Sequence, residues 1–314
     1  MERVRIPLVI LAGSDPRPAE LPERARDKHA LAGFKSLAVR IGDKTLLENA
    51  VEHLGASGWF EPILVAGPRR VYAGHCAGAR IVDTDGSLGD NVRAAVEDLA
   101  LTHPGAAVGF TVCDILPDPR LLDRLMQDYH RNAPCDLWFP MVRAPEQREE
   151  LGASAWKPAY GVIPAEGQPP VRILPGHLIV GVPSALRLKF LYRLLDLGYR
   201  TRNRSIESRR GVMIRGVLAD MLIQDLLHLL RLRAPSLTWS VLRASIPAAD
   251  LLRRGSITRG QLEDTLRKIF VRSRHRRRHP ERRVVLPIVD ALFLARDIDT
   301  EEEASELGGR VAGC

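Results

Sequence analysis

The chain has 314 residues, 46 Lys plus Arg against 38 Asp plus Glu, a formal charge of +8 and 45% hydrophobic content. That length admits one large α/β unit or two smaller ones, and so much apolar content excludes wholesale disorder. The charge is uneven: residues 187–283 hold 24 basic and 8 acidic side chains, so this stretch is +16 while the rest is −8. Such an asymmetry points to an anionic partner for one sub-region, whether nucleic acid, lipid headgroups or a phosphorylated substrate.

In chain order, residues 7–12 form a short apolar run closed by Gly13, the pattern of a strand buried on both faces in a parallel sheet. Arg3 and Arg5 precede it, but the run is far short of a membrane span, so a cytoplasmic protein is expected. Helical spacing follows at 46–54, a strand at 62–66, a weak strand at 81–82, a helix at 91–100 and a fully apolar strand at 106–113. Asp118 with Pro119 behind it starts a helix that runs to about His130, and 136–142 is a further strand. This alternation predicts a layered α/β domain with a largely parallel sheet.

Strands are then expected at 160–163 and 177–182, with a Gly/Gln/Pro turn between them. Helices follow at 184–197, 212–232, 236–243 and 258–272, and 271–283 is a basic run too polar to pack. The chain returns to an apolar strand at 284–289 and an acidic helix start at 301–307. The four cysteines, Cys76, Cys113, Cys135 and Cys314, show neither CxxC nor zinc-type spacing, which fits a reducing compartment.

Three features fall where an α/β sheet places active sites, at the carboxyl ends of strands. The first is Leu11-Ala12-Gly13-Ser14, with Lys35 further along: a glycine after a buried strand lets backbone N–H groups approach phosphate oxygens, and a lysine adds mobile positive charge. The alternative is an ordinary strand-to-loop glycine. Neither the dinucleotide fingerprint nor the P-loop pattern fits here. The second is Asp114, a carboxylate suited to Mg²⁺ beside a triphosphate or to capping a helix, although Asp118 is better placed for the cap. The third is Asp297-Ile-Asp299-Thr300, which either completes a metal cradle or forms a capping box with Glu302 or Glu303.

Taken together these residues resemble the nucleotidyltransferase superfamily of molybdenum-cofactor guanylyl- and cytidylyltransferases, CMP-KDO synthetase and sugar-1-phosphate nucleotidyltransferases. The matching elements are Leu11-Ala-Gly-Ser14, Lys35-Ser-Leu37, Gly42-Asp-Lys-Thr-Leu-Leu-Glu48, Asp114-Ile-Leu-Pro117 and Asp297-Ile-Asp-Thr-Glu-Glu-Glu303, in the same order. Gly89-Asp-Asn-Val92 is similar to the segment that holds base and ribose in such enzymes, with Asn91 as the contact.

The resemblance implies a three-layer α/β/α, GT-A-like fold with a mostly parallel mixed sheet, formed by residues 1–183 and 284–314 around an Arg-rich helical insertion at 184–283. It implies Mg²⁺ on Asp114 and Asp299, with Asp297 as the alternative ligand, and Lys35 as the catalytic cation. Leu11 to Ser14 and Arg17 would hold the nucleoside triphosphate, and Lys157, Tyr160, Gly176 and His177 a phosphorylated small-molecule acceptor. Ser14 replaces the family's second glycine, and Pro175-Gly-His177 stands where a Gly-Gly-Asn turn is usual.

A related glycosyltransferase also uses Asp-x-Asp, but in mid-chain, not near the end. Residues 272–283 carry seven arginines and two histidines without an aromatic, which argues against sequence-specific nucleic-acid binding. Anionic membrane is the better alternative, with the apolar stretch 217–232 as an interfacial helix or, preferably, as the core of the insertion.

Overall fold

The computed structural model describes residues 4–14, 33–201, 206–230, 237–300, 302–303 and 305–306. Its first half contains β1 (Ile6–Leu11), α1 (Lys35–Ala38), β2 (Arg40–Ile41), β3 (Lys44–Thr45), α2 (Leu46–Ala56), β4 (Phe60–Gly67), α3 (Arg69–Tyr72), β5 (Arg80–Asp83), α4 (Leu88–Thr102), β6 (Val108–Val112) and α5 (Pro119–Asn132). It continues with β7 (Leu137–Trp138), β8 (Met141–Arg143), β9 (Tyr160–Val162), β10 (Val171–Pro175), β11 (Ile179–Gly181), α6 (Leu188–Arg200), α7 (Ile206–Leu230), α8 (Leu237–Arg253), α9 (Arg259–Phe270), α10 (Ser273–Arg278), β12 (Val284–Val285) and β13 (Ile288–Val289).

The central sheet has seven strands in the order β12-β7-β11-β6-β1-β4-β5. Most neighbours are parallel, while β11 runs against both β6 and β7. β1 lies in the middle because its run is apolar on both sides. Leu8 and Ile10 pack into a core with Leu47, Val51, Leu122 and Met126 of α2 and α5, while Val9 faces Ala95 and Leu99 of α4. Alternating side chains thus glue a helical layer to each face of one sheet.

Helix starts follow local chemistry: α2 and α4 open with capping boxes, Thr45 with Glu48 and Ser87 with Asp90. Asp118 caps α5 by accepting from the amides of Arg120 and Leu121, with Pro119 behind it, so the cap does not need Asp114.

Several segments differ from the sequence expectation. The run 136–142 splits at Phe139-Pro140 into β7 and β8, and 284–289 splits at Leu286-Pro287 into β12 and β13. Each bend sends one half into a second sheet of order β13-β8-β10-β9. Strand β10 fills the stretch expected to be a turn, and β11 is shorter than the apolar run around it.

The basic run 271–283, expected to be too polar to pack, does so in part: Arg274, Arg277, Arg278 and Arg283 are exposed, while His275 and Arg272 reach buried acceptors. Asp136 is fully buried and accepts from Arg267 (3.3 Å) and His275 (2.9 Å), while its backbone amide donates to Arg283. Arg272 donates to the carbonyl of Leu186, and Arg187 to that of Ile269. Part of a run read as a solvated face thus satisfies acceptors at the sheet edge.

The apolar stretch of α7 divides. Met221 is buried, with Val217 and Leu218 beside it on Phe190, Leu237 and Val241. Leu222, Ile223, Leu226, Leu229 and Leu230 stand more than half exposed, so this segment is only partly core.

Asp136→Ala leaves Arg267 and the His275 ring without their buried acceptor, a loss of roughly 3–5 kcal/mol for a broken buried pair. Urea unfolding is expected to show a markedly lower midpoint than for the unaltered chain.

Candidate nucleotide site

The parallel strands β1 and β6 end on the same edge of the sheet, delivering Gly13 and Asp114 there. Because β11 is reversed, its beginning reaches that same edge and brings Gly176 and His177. The C-terminal segment is stitched across by the Ile298 amide, which donates to the carbonyl of Asp114 at 2.9 Å. Residues from four distant parts of the chain therefore meet at one end of the sheet.

They line a cavity of about 980 Å³. Leu11, Gly13, Ser14, Lys35, Asn91, Asp114, Lys157, Tyr160, Gly176 and His177 all border it, as does Asp297. Ala12 is buried under the β1 end, and Arg17 lies outside the described residues.

Lys35 and Asp299 form a buried ion pair, Nζ to Oδ1 at 2.5 Å, with side chains 8% and 5% exposed. Asp297 is held by Lys157 (Oδ2 to Nζ, 2.7 Å) and by His177 (Oδ1 to Nε2, 2.7 Å). Lys157 also donates to the carbonyl of Ala295 and lies 2.9 Å from His177 Nε2. Burial opposes ionisation of Asp297, yet His177 and Lys157 hold its carboxyl well below the usual carboxylate range.

Asp114 behaves oppositely. Burial, then the negative charges of Asp297 and Asp299, push its carboxyl up to about 6. Three carboxylates converge with cations on two of them, and the third carries the uncompensated charge. The same neighbourhood raises the Cys113 thiol to about 12, first through burial and then through Asp114.

Local packing sets the Asp297–Asp299 segment. The Asp297 amide donates to Ser154 Oγ and the Asp299 amide to Glu303, while Thr300 Oγ1 accepts from the Glu303 amide. Half of the capping box expected from Thr300 and Glu303 is formed: Thr300 Oγ1 takes the Glu303 amide, but the Glu303 carboxylate takes the amide of Asp299, not that of Thr300, beside the Lys35 pair on Asp299. Gly152, at φ +54°, lies so close that a Cβ there would sit 1.9 Å from Glu303 Oε1. A Cβ on Gly176 would meet the Pro140 carbonyl at 2.7 Å, which explains a glycine next to His177.

Asn91 is 2% exposed, and its Oδ1 accepts from Thr84 Oγ1 and the Gly86 amide. Those bonds turn its Nδ2 toward Gly13, where a Cβ would lie 3.2 Å away. The Gly89 amide at the start of α4 donates to Asp196 of α6, and Tyr199 of α6 donates to the Ser14 carbonyl at 3.4 Å. Residues from the helical stretch therefore wall the cavity: Tyr199, Met213, Ile214, Leu252 and Arg253. Nothing in the sequence motifs marks these residues, because amphipathic spacing says that a face is covered without saying what covers it.

No protein-family model matches the chain, and no curated protein matches it in sequence. Similarity is found among solved structures. A hypothetical transferase from Thermus thermophilus is 17% identical at a TM-score of 0.53, covering 96% of this chain and 100% of that one. A CMP:2-keto-3-deoxy-manno-octonic acid synthetase, solved with CTP, is 12% identical at a TM-score of 0.50, with 99% of both chains covered. The chain has the nucleotidyltransferase fold. The mostly parallel mixed sheet expected from the sequence resemblance is present as that fold's core, with seven strands. Among the described residues no helix is long and apolar enough to cross a membrane.

Gly152→Ala is expected to displace Glu303 and loosen the Asp297–Asp299 segment, since the added methyl overlaps a buried carboxylate at a positive-φ position. Thermal unfolding should fall by several degrees, whereas Gly260→Ala, which has open space around it, should not lower it.

Proposed function

We propose that this chain is a Mg²⁺-dependent nucleotidyltransferase that moves a nucleoside monophosphate from a nucleoside triphosphate to a phosphorylated small-molecule acceptor, releasing pyrophosphate. The observation that supports this best is the convergence of Lys35, Asp114 and Asp297 from three separate segments on the cavity at the carboxyl edge of the sheet, with Asp299 buried behind them on Lys35. The CTP in the structurally similar synthetase is in keeping with a triphosphate in this position.

An acceptor phosphate oxygen bonds to the α-phosphorus as the bond from that phosphorus to the bridging oxygen breaks, and pyrophosphate leaves with the electron pair. A phosphate acceptor is already ionised at neutral pH, so the protein's task is alignment and neutralisation of charge. Leu11 and Ala12 carry the chain to the cavity, where loop amides around Gly13 and Ser14 would cradle the β- and γ-phosphates, with Arg17 assigned to the same groups. Asn91 Nδ2 donates to the nucleoside. Lys35, held in place by Asp299, offers its ammonium to the α-phosphate oxygens. Lys157 and His177, held by Asp297, face the acceptor beside Tyr160 and Gly176.

Among the described residues no three His, Cys, Asp or Glu side chains form a ready-made metal cluster. Mg²⁺ suits one or two carboxylates completed by phosphate oxygens and water. The Asp114–Asp299 pair fits that demand, and the excess negative charge on Asp114 is the electrostatic counterpart of a cation. Bound there, Mg²⁺ would neutralise charge on the triphosphate.

Peripheral contact with anionic lipid belongs to the same reading, supported by the exposed apolar face of α7 and by Arg215 on that helix. Co-sedimentation with phosphatidylserine vesicles is expected at low salt and is expected to be lost in Leu226→Asp; no binding of the unaltered chain at any salt removes this contact.

Asp114→Asn is the decisive variant. Pyrophosphate release from a nucleoside triphosphate should drop by about 10²-fold or more, as for loss of a central electrostatic group. Stability at neutral pH should be equal or higher. A carboxyl whose pKa is raised in the fold is penalised above about pH 6, and the amide removes that penalty. Undiminished turnover in a pyrophosphate-release assay sinks the assignment.

A further inference from the structure

The two sides of the cavity differ chemically. The sheet side presents Lys35, Asp114, Asp297, Lys157 and His177. The opposite side is formed by Met213 and Ile214 of α7 with Ala249 and Leu252 of α8. The charged residue there, Arg253, is exposed and pairs with Asp250 of the same helix at 2.8 Å. Tyr199 directs its hydroxyl to the Ser14 carbonyl.

This apolar wall stands next to the acceptor end. The Ile163 amide donates to the Ile257 carbonyl and the Arg259 amide to the Ile163 carbonyl, which ties β9 to the loop after α8. A Cβ on Gly161 would come within 3.3 Å of Gly255 Cα. Tyr160 and Leu252 are therefore held on facing elements bordering the same space.

A polyhydroxylated acceptor placed there would give up hydrogen bonds to water and find few side-chain partners to replace them. An apolar group would cover Ile214, which is 51% exposed, and the neighbouring Leu252. At about 980 Å³ the cavity lies at the upper end of the roughly 300–1,000 Å³ usual for a ligand site.

We infer that the acceptor is an amphiphile, a phosphate joined to an apolar chain or ring, with its phosphate toward Lys157 and His177 and its apolar part between Tyr160 and the α7–α8 wall. This rests on the nucleotidyl-transfer reading and adds the acceptor's class to it. Transfer then joins the nucleotide to the lipid-like phosphate through a new pyrophosphate link, with inorganic pyrophosphate as the other product.

The test uses the full chain with Mg²⁺ and has two stages. Calorimetric titration with each nucleoside triphosphate comes first, because absence of Mg²⁺-dependent binding overturns the nucleotidyl-transfer reading and this inference with it. Protein loaded with a non-hydrolysable analogue of the best-binding triphosphate is then titrated with octyl phosphate, ethyl phosphate and glucose 1-phosphate. Octyl phosphate is expected to bind at least about tenfold more tightly than the other two, since each buried methylene adds to affinity.

Ile214→Asp and Leu252→Asp should each erase that preference while leaving triphosphate affinity unchanged. Leu226→Asp, on the outward face of α7, should keep it. Equal or weaker binding of octyl phosphate, or a preference that survives both cavity variants, overturns the inference even where the triphosphate binds normally. Turnover of octyl phosphate identifies a dissolved amphiphile, and turnover confined to phosphatidic acid in vesicles identifies a bilayer-borne one; both outcomes support the proposal.

Discussion

The buried pair between Lys35 and Asp299 is the constraint on which the site depends. Two charges are tolerated at that depth only together, because desolvating either one alone costs several kcal/mol. The partners are 264 residues apart, so the pair forces the segment after β1 and the segment after β13 to the same point. Asp114 is held against them by a backbone hydrogen bond from Ile298, and its raised pKa is the electrostatic result of bringing a third carboxylate into that company. The charge imbalance that makes the site able to hold a cation is thus inseparable from the interaction that assembles it.

Much of this was legible in the sequence. Uninterrupted apolar runs at 7–12 and 106–113 identify central strands because only a strand covered on both faces needs apolar residues at every position. Asp114 stands out because it lies directly beyond such a strand while Asp118 supplies the helix cap, whereas Asp299, well past the last strand, stands out only through the resemblance. What stayed hidden was tertiary. Residues 271–283 read as solvated because nothing local reveals that Asp136, more than 130 residues away, would supply their buried partner. Strand β10 escaped notice because a five-residue strand in a small antiparallel sheet carries little periodicity of its own. The apolar cavity wall at Ile214 and Leu252 was invisible for another reason: helical spacing marks a face without saying what it meets.

The +16 stretch looks different once its contacts are known. Arg187, Arg267 and Arg272 bind backbone carbonyls or a buried carboxylate, and Arg253 and Arg254 both engage Asp250. A net charge counted along a sequence measures composition, while the field outside the molecule depends on which charges are already answered inside it. The helices reach the cavity mainly through apolar side chains, so their contribution there is shape and dryness more than positive potential.

The pairing of β7 with β12 carries a consequence for how the chain folds. These strands are joined in register Leu137 to Val284 and Trp138 to Val285, and every residue of α6 to α10 intervenes. Until the later strand arrives, β7 is an open sheet edge with Trp138 beside it. The helices made in the meantime bring Arg267 and His275, which will answer Asp136. Closure of that edge is a late, long-range event, the kind of step that slows folding and leaves an intermediate open to wrong partners. Brevity is what protects it: a two-residue edge offers little ladder for another strand to copy.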